Sequence, residues 1–261
     1  MEDRSLEESM ILALDGKDKN ILRYIPYILQ DFWEIGTSAG DVIKVIKKYK
    51  QNYSKLTVLD LGSGKGAVSI KISSELKCKC HGIDGMEEFI AFSIKKALEY
   101  SVENLCSFNK ADIRTEITSL GKYDIIVLGA IGDALGDYYN TLLQLKDYVN
   151  TDGLIIIDDA YIEDNLEHSK YLKKNDLIKK TKMAGLELIE IVTYEENNEL
   201  NAEYDNEFIN LKKRCIELIE KHPMEKTLFL EFIENQKNEY DVLKNDIIPA
   251  MFVVKNNVDL I

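Results

Sequence analysis

The sequence predicts an α/β fold in which helices cover both faces of a doubly wound, mostly parallel sheet. Between residues 57 and 193, short apolar runs alternate with longer segments of helical periodicity, which is typical of such a sheet. The chain of 261 residues contains only three prolines and no Gly/Ser-rich stretch, so no flexible linker divides it into independent domains. With 45% hydrophobic and 30% charged residues, the composition is that of a globular protein.

Each element of this fold follows from the periodicity of its apolar residues. The apolar runs predict strands at 57–61, 80–83, 107–109, 123–128, 154–157 and 186–192. Helical spacing predicts helices at 68–76, 89–98, 138–149 and 168–183. A last strand is predicted at 247–254. Pro249 near its start favours a position at or near a sheet edge, because proline cannot donate to a sheet ladder.

Helical segments flank and interrupt this pattern. We expect residues 1–55 to form an N-terminal helical cap, 56–193 the α/β core, 194–246 a helical insertion and 247–261 the final strand of the core sheet. The aromatic-rich stretch at 24–33 could cover a site or could simply pack in the core; the sequence supports both interpretations.

Charge and cysteine content narrow the possible partners. The formal charge of -13 repels polyanions, so we expect no nucleic-acid partner. No stretch reaches the ~18 apolar residues of a membrane span, and the start Met1-Glu2-Asp3 lacks the basic region of a signal peptide. We therefore expect a cytoplasmic protein with no membrane partner. The four cysteines lack CxxC spacing and a nearby histidine, so we expect reduced thiols and no metal site.

The strongest functional signal is the segment Asp60-Leu61-Gly62-Ser63-Gly64-Lys65-Gly66. A predicted strand runs into three alternate glycines and then into a helix, so the turn has no side chains that would keep a ligand away from the backbone. The start of the helix favours a carboxylate or a phosphate. Asp84 ends the second strand about 20 residues after the first glycine, where a carboxylate can accept both hydroxyl hydrogens of a ribose. Asp84 could also be only a solvent-facing residue.

The details of the turn favour one class of nucleoside. The glycines are spaced GxGxG rather than GxGxxG, the dinucleotide fingerprint, and Asp60 would repel a pyrophosphate. A carboxylate at this position suits an ammonium group instead. A ligand that combines an ammonium, a carboxylate and a ribose is an aminoacyl-type nucleoside, of which S-adenosylmethionine is the common example.

The chain resembles the class I S-adenosylmethionine-dependent methyltransferases, in particular the small-molecule branch with a seven-stranded Rossmann-like sheet. The resemblance covers about residues 55–193 and the final strand. Residues 60–66 match the first family motif, which implies that the backbone around Gly62 and Gly64 holds the methionyl group and that Asp60 receives its amine. Residues 82–86 match the second motif, which implies ribose binding by Asp84.

Two further motifs complete the implied cofactor site. Residues 109–113 match the third motif, which implies that Asp112 and the backbone of Ile113 bind adenine; residues 123–130 match the fourth, which places Gly129 and Ala130 beside the sulfonium. Met86 would contact adenine, although it could equally be a core residue. The full implied set is Asp60, Gly62, Ser63, Gly64, Asp84, Gly85, Met86, Asp112, Ile113, Gly129 and Ala130.

The resemblance implies in-line transfer of a methyl group to a small-molecule acceptor. The fourth strand ends in Gly-Ala and not in an Asn-Pro-Pro-aromatic motif, so methylation of amino groups on nucleobases or glutamine is not indicated. A general base is needed only if the acceptor atom carries a proton, and weak candidates are Asp133, Asp158, Asp159, Tyr161 and His168. Each has an ordinary structural interpretation as well, in capping, turn or surface positions.

The acceptor pocket is expected between the carboxyl edge of the sheet, the aromatic N-terminal stretch and the helical insertion. The acidic insertion hints at a cationic acceptor. Two alternatives remain open from the sequence. One is a module that binds S-adenosylmethionine without catalysis, and the other is an NAD(P)-dependent oxidoreductase, which Asp60 and the GxGxG spacing oppose.

Overall fold

The computed structural model describes residues 4–168, 170–194 and 198–257. In this part of the chain the strands are β1 (Thr57–Leu61), β2 (Lys79–Asp84), β3 (Cys106–Lys110), β4 (Tyr123–Gly129), β5 (Val149–Ile162), β6 (Leu172–Lys173), β7 (Glu187–Thr193) and β8 (Ile248–Lys255). The α-helices are α1 (Leu6–Ala13), α2 (Ile25–Ile28), α3 (Ala39–Tyr49), α4 (Ala67–Leu76), α5 (Glu87–Glu99), α6 (Ile113–Glu116), α7 (Tyr138–Lys146), α8 (Lys174–Met183), α9 (Asn198–Lys221) and α10 (Lys226–Asn245).

The strands form one sheet in the order β3-β2-β1-β4-β5-β8-β7, and the two-residue β6 pairs with β5. The pairs β1–β2, β2–β3, β1–β4, β4–β5 and β5–β6 are parallel. The predicted doubly wound, seven-stranded α/β sheet is therefore confirmed, with β6 as a short addition. The direction of the strand order reverses between β1 and β4, and open α/β sheets bind ligands in the crevice at this reversal.

Two compact units divide the chain. One comprises 33–192 and 250–261, and the other comprises 1–32 and 193–249. The first unit has its core on the sheet, where α3 and α4 bury apolar residues against the central strands. Helix α3 begins where the Ser38 hydroxyl accepts the amide hydrogen of Asp41, a normal N-cap.

The second unit is helical. Its antiparallel pair α9 and α10 buries Leu211, Cys215 and Phe229. Arg214 on α9 forms ion pairs with Asp31 and with Glu217. The pair with Asp31 links α9 to the N-terminal segment within this unit. No helix in the described part of the chain is long and apolar enough to cross a membrane.

Three predicted elements differ from the structure by three residues or more at one end or at both. Helix α8 begins at Lys174 and not at 168, because Leu172–Lys173 pair with β5 as β6 and His168 forms a local turn instead. Helix α7 ends at Lys146, so the prediction to 149 was too long. Strand β5 extends to Ile162, well beyond the predicted 154–157, because its last three residues are buried. Strand β8 lies one strand in from the edge, between β5 and β7.

Candidate functional site

A cavity lies at the carboxyl ends of β1 and β4, where the strand order reverses. It encloses about 340 Å³ of empty space, part of it open to solvent. All of its lining residues belong to the sheet-bearing unit: Trp33, Ile35, Thr37, Asp60, Gly62, Ser63, Gly64, Lys65, Ala67, Val68 and Gly129.

The glycine turn between β1 and α4 requires its glycines for two different reasons. Gly64 has a φ of +50°, and a Cβ added to it would meet no atom within 4 Å, so it leaves space on the cavity side. Gly66 has a φ of +72°, and a Cβ there would lie 2.7 Å from the Ser93 hydroxyl and 2.9 Å from the Phe108 ring. The first glycine therefore makes room for a ligand and the second makes room for the protein itself.

The amide groups of this turn are already bonded within the protein. Gly62 and Ser63 both donate to the carbonyl oxygen of Ile83, at 2.9 and 3.0 Å. Gly64 donates to the Asp84 carboxylate at 2.8 Å. The sequence predicted that the backbone around Gly62 and Gly64 holds the methionyl group. In the structure these N–H groups fix the shape of the turn, and the contact of this backbone with a methionyl group stays a prediction.

Among the described residues that line the cavity, Asp60 is the one carboxylate. It is 3% exposed, and its Oδ2 accepts the Ser69 hydroxyl at 2.7 Å. Burial raises the pKa of Asp60 to about 6, and the nearby Asp84 carboxylate acts in the same direction while the Ser69 hydrogen bond opposes it. A buried carboxylate in this environment gains from a cation at close range.

Asp84 is oriented by two backbone N–H groups, since its Oδ2 accepts from Gly64 and its Oδ1 from Met86, both at 2.8 Å. Burial raises its pKa, and the backbone hydrogen bonds from Met86, Gly64 and Gly85 partly offset this. Each carboxylate oxygen can accept more than one hydrogen bond, so the Asp84 carboxylate can also accept from hydroxyl groups of a ligand. Met86 occupies the N-cap position of α5 and is buried.

Asp112 is the N-cap of α6, which begins at Ile113. Its carboxylate accepts the Arg114 amide hydrogen at 3.0 Å and forms an ion pair with the Arg114 guanidinium. The hydrogen bonds from the Arg114 side chain hold the pKa of Asp112 below its usual range. The predicted adenine ligand is thus already engaged in a local structural role.

Residues 33–37, which we call the strap, contribute Trp33, Ile35 and Thr37 to the cavity lining. Trp33 Nε1 donates to the carbonyl oxygen of Lys65 at 3.1 Å, which attaches the strap to the glycine turn. Glu34 forms an ion pair with Lys71 on α4. At the other end, Thr37 Oγ1 lies against Gly129, where an added Cβ would be only 2.3 Å away. The strap is therefore fixed at both ends within this unit.

Two cavity-lining hydroxyls have no partner. Among the described residues, the buried side-chain oxygens without a hydrogen bond are those of Thr37, Ser63 and Ser73, and the first two line the cavity. Thr37 is 3% exposed and Ser63 is 9% exposed. Unpaired buried polar groups are costly, by about 1–3 kcal/mol each. Together with the open space at Gly64, they fit a polar ligand that enters this cavity.

The cavity lining includes five of the predicted cofactor residues: Asp60, Gly62, Ser63, Gly64 and Gly129. The others lie along the neighbouring strand ends and not in the lining: Asp84, Gly85, Met86, Asp112, Ile113 and Ala130. The residues predicted to bind the methionyl end therefore lie together in the cavity lining. Asp84 is linked to them by the hydrogen bond that its carboxylate accepts from the Gly64 amide.

None of the five general-base candidates lines the cavity. Asp158, Asp159 and Tyr161 are part of β5, whereas the sequence placed them after it. Burial raises the pKa of Tyr161, which opposes its use as a base. His168 does not begin a helix; its Nδ1 accepts amide hydrogens from Lys170 and Tyr171 and thereby closes a turn. Asp133 is exposed in a short 3-10 helix after β4.

Sequence reasoning missed most of the strap. Trp33 belonged to the aromatic stretch, but nothing in the local pattern singled out Ile35 or Thr37, because they lie in an irregular segment far along the chain from Gly129. Lys65 lies inside the glycine motif and was also overlooked. Its ammonium lies over the ring of Phe92, 5.2 Å from the centroid.

Sequence comparison places the chain among methyltransferases. A family model described as a methyltransferase domain matches residues 52–210. A release factor glutamine methyltransferase of Fusobacterium nucleatum subsp. nucleatum is 30% identical over 120 residues, 44% of this chain and 34% of that protein. A protein-lysine N-methyltransferase of Saccharomyces cerevisiae is 35% identical over 80 residues, 30% of this chain and 35% of that protein. The chain thus spans about a third of the length of these relatives.

Solved structures share the fold over nearly the whole chain. A methyltransferase of Geobacter sulfurreducens, crystallised with S-adenosyl-L-homocysteine, has a TM-score of 0.72 at 16% identity and covers 89% of this chain and 97% of its own. A methyltransferase of Thiobacillus denitrificans, in complex with the same nucleoside, has a TM-score of 0.70 at 15% identity, with coverage of 89% and 97%. At such identities the likeness establishes the fold. Because the family model matches more than half of the chain, the protein belongs to the methyltransferase-domain family, and its predicted place among the class I S-adenosylmethionine-dependent methyltransferases is confirmed.

Proposed function

We propose that the cavity at the carboxyl ends of β1 and β4 holds the methionyl end of S-adenosylmethionine. The observation that carries this proposal is the combination, in one cavity, of a buried carboxylate, Asp60, with two unpaired hydroxyls and with open space at Gly64. A zwitterionic amino-acid group matches these features, because Asp60 can accept its ammonium and the hydroxyls can donate to its carboxylate.

The nucleoside end of the cofactor would lie along the ends of β2 and β3. Asp84 is oriented by its two backbone N–H groups, and we propose that its remaining lone pairs accept the ribose hydroxyls. Met86 would contribute an apolar contact to adenine, and Gly85 would allow close approach. Asp112 and the Ile113 amide are the proposed polar contacts for adenine, although the Arg114 ion pair makes Asp112 the weaker of the two acids.

When bound, S-adenosylmethionine supplies an electrophilic methyl group on a sulfonium. The chain's contribution is positioning, which accounts for about 7 kcal/mol or more of barrier lowering in well-oriented reactions. Gly129 and Ala130, at the end of β4, would lie beside the sulfur. Trp33 and the strap would exclude water from the methionyl end. No side chain of the cavity lining needs to form a covalent bond.

We propose a small molecule as the acceptor. Strand β4 ends in Gly129-Ala130-Ile131-Gly132, without the Asn-Pro-Pro-aromatic motif that would hold a planar amide or nucleobase amine. The charge of -13 opposes a nucleic-acid acceptor. The two curated relatives are named for glutamine and lysine methylation of proteins, so a protein acceptor is the competing class.

Two measurements test this function. Calorimetry should show binding of S-adenosylhomocysteine to the wild-type protein, and binding should weaken about 10-fold or more in Asp84→Ala, which removes a charged hydrogen-bond acceptor. A screen of metabolite and peptide fractions with a labelled methyl donor should then give products in the small-molecule fraction. Absence of nucleoside binding would refute the cofactor proposal, and label confined to peptides would refute the small-molecule acceptor.

A further inference from the structure

We infer that Ser69 is a positioning residue for the candidate site, whose hydroxyl keeps the Asp60 carboxylate in the ionised form that an ammonium group requires. This inference rests on the proposed function and extends it to a residue of α4 that does not line the cavity. Ser69 is fully buried and Asp60 is 3% exposed. The Ser69 hydroxyl donates to Asp60 Oδ2 at 2.7 Å.

The start of α4 explains why this hydroxyl meets this carboxylate. The helix begins at Ala67 after Gly66, which has no side chain that could cap it. The first N–H groups of a helix have no acceptor within the helix, and the helix dipole favours an anion near them. Asp60, near the end of β1, takes the place of the missing cap, because hydrogen bonds reach its carboxylate from the side chain and the backbone of Ser69.

The charged form of Asp60 depends on these hydrogen bonds. Burial raises the pKa of Asp60 to about 6, the hydrogen bonds from Ser69 oppose this rise, and the Asp84 carboxylate adds to it. Cys106 on β3 also lies near Asp60, but burial raises the pKa of its thiol to about 11, so it is uncharged at neutral pH. Lys65 lines the same cavity and is the cation of this group.

The backbone of Ser69 is held in place independently of its hydroxyl. Ser69 lies in the first turn of α4, and its carbonyl oxygen accepts the Cys106 thiol at 3.7 Å. The hydroxyl is therefore presented to Asp60 by a fixed element of the fold. Removing it changes the electrostatics of Asp60 and leaves the helix without a new cavity larger than one oxygen atom.

The consequence is a shift in the pH range over which Asp60 attracts a cation. Loss of a buried hydrogen bond to a charged group corresponds to about one pH unit or more in the pKa of that group. Without the Ser69 hydroxyl, Asp60 would then be at least about half protonated at about pH 7. A protonated carboxyl group has no net charge with which to attract an ammonium.

The test compares Ser69→Ala, which removes the hydroxyl, with Ser69→Thr, which keeps it. Ser73→Ala is the matched control. Ser73 lies one turn further along α4 and is equally buried, and among the described residues its hydroxyl has no hydrogen-bond partner.

The first measurement is an NMR titration of the Asp60 carboxyl group in the ligand-free protein, with isotope-labelled aspartate side chains. The Asp60 resonance is assigned by its absence from Asp60→Asn. Its titration midpoint should rise by about one pH unit or more in Ser69→Ala and should stay within about 0.3 unit of the wild type in Ser69→Thr and Ser73→Ala. A Ser69→Ala midpoint within about 0.3 unit of the wild type would overturn the inference.

The second measurement is calorimetry with S-adenosylhomocysteine. Relative to the wild type at the same pH, Ser69→Ala should bind about twofold to tenfold more weakly at about pH 7 and within about threefold at about pH 8.5, where Asp60 ionises again. Methylthioadenosine, which keeps the nucleoside and lacks the amino-acid group, should bind the wild type and Ser69→Ala within about threefold of each other at both pH values. An equal, pH-independent loss for the two ligands would show a merely structural role and overturn the inference.

Failure of the proposed function has a different signature. If the wild-type protein binds no S-adenosylhomocysteine, the cofactor proposal fails and the inference fails with it. If the wild type binds this ligand and Ser69→Ala leaves the NMR midpoint unchanged, the inference alone fails. A shifted midpoint without a change in affinity would show that Asp60 does not hold the ligand's amine, which would refute the roles of Asp60 and Ser69 together.

Discussion

The buried Asp60 carboxylate makes a quantitative prediction about pH. Its pKa is raised to about 6 by burial, whereas an unfolded chain has an aspartate pKa of about 3.9. A group whose folded pKa is raised binds its proton more tightly in the folded state. The contribution of protonated Asp60 to the free energy of unfolding is therefore complete below about pH 4 and is lost as the pH rises through about 6. At about 1.4 kcal/mol per pH unit, the loss approaches 3 kcal/mol.

The assay is urea denaturation of the ligand-free wild type and of Asp60→Asn at about pH 4.5 and about pH 7.5. Asparagine keeps the shape and can still accept from the Ser69 hydroxyl, but it carries no charge that could ionise. The difference in unfolding free energy between the two proteins should change by about 2 kcal/mol between these pH values, in favour of Asp60→Asn at the higher pH. A constant difference would refute the reasoning.

The same carboxylate should link cofactor binding to pH. An ammonium partner favours ionised Asp60, so wild-type affinity for S-adenosylhomocysteine should fall up to about tenfold per pH unit below about pH 6. The ligand's own amine and carboxyl stay ionised in this range. Asp60→Asn should bind more weakly at neutral pH and show little of this pH dependence. A wild-type affinity that is unchanged from about pH 7.5 to about pH 5 would show that no cation approaches Asp60.

Three further predictions concern the glycine turn, the strap and the start of α6. Gly64→Ala should cost about 1–2 kcal/mol in stability and abolish detectable cofactor binding, whereas Gly66→Ala should cost about 2–5 kcal/mol in a urea melt because its Cβ also overlaps neighbouring atoms. Equal effects of the two would contradict their assigned roles. Trp33→Phe removes the hydrogen bond to Lys65 and should weaken nucleoside binding measured by calorimetry while circular dichroism stays unchanged. Asp112→Asn should weaken binding less than about tenfold, since its arginine partner already neutralises it; a larger loss would restore it as a principal adenine contact.

Periodicity predicts most of the sheet, because buried parallel strands read as apolar runs and turns interrupt them. The run 57–61 coincides with β1, since a glycine turn ends it abruptly. Periodicity fails where pairing partners decide the outcome. Residues 172–173 become β6 only because β5 lies beside them, and β5 reaches Ile162 because its end is covered by other parts of the fold.

The glycine turn and its two acids could be predicted because each is a local pattern with a mechanism. The place of Thr37 in the cavity could not be predicted, since its contact with Gly129 joins segments that are far apart in the sequence. The hydrogen bonds of the turn amides could not be predicted either, because their acceptors, the Ile83 carbonyl and the Asp84 carboxylate, lie on another strand. Local chemistry thus predicts which residues attract a ligand, and tertiary contacts decide which of them remain available.

The most direct test of this account is a crystal structure of the protein with S-adenosylhomocysteine. We expect the ligand's amine at hydrogen-bond distance from Asp60 and its ribose hydroxyls on Asp84. A nucleoside bound elsewhere, with the cavity between β1 and β4 free of its amino-acid group, would contradict the account.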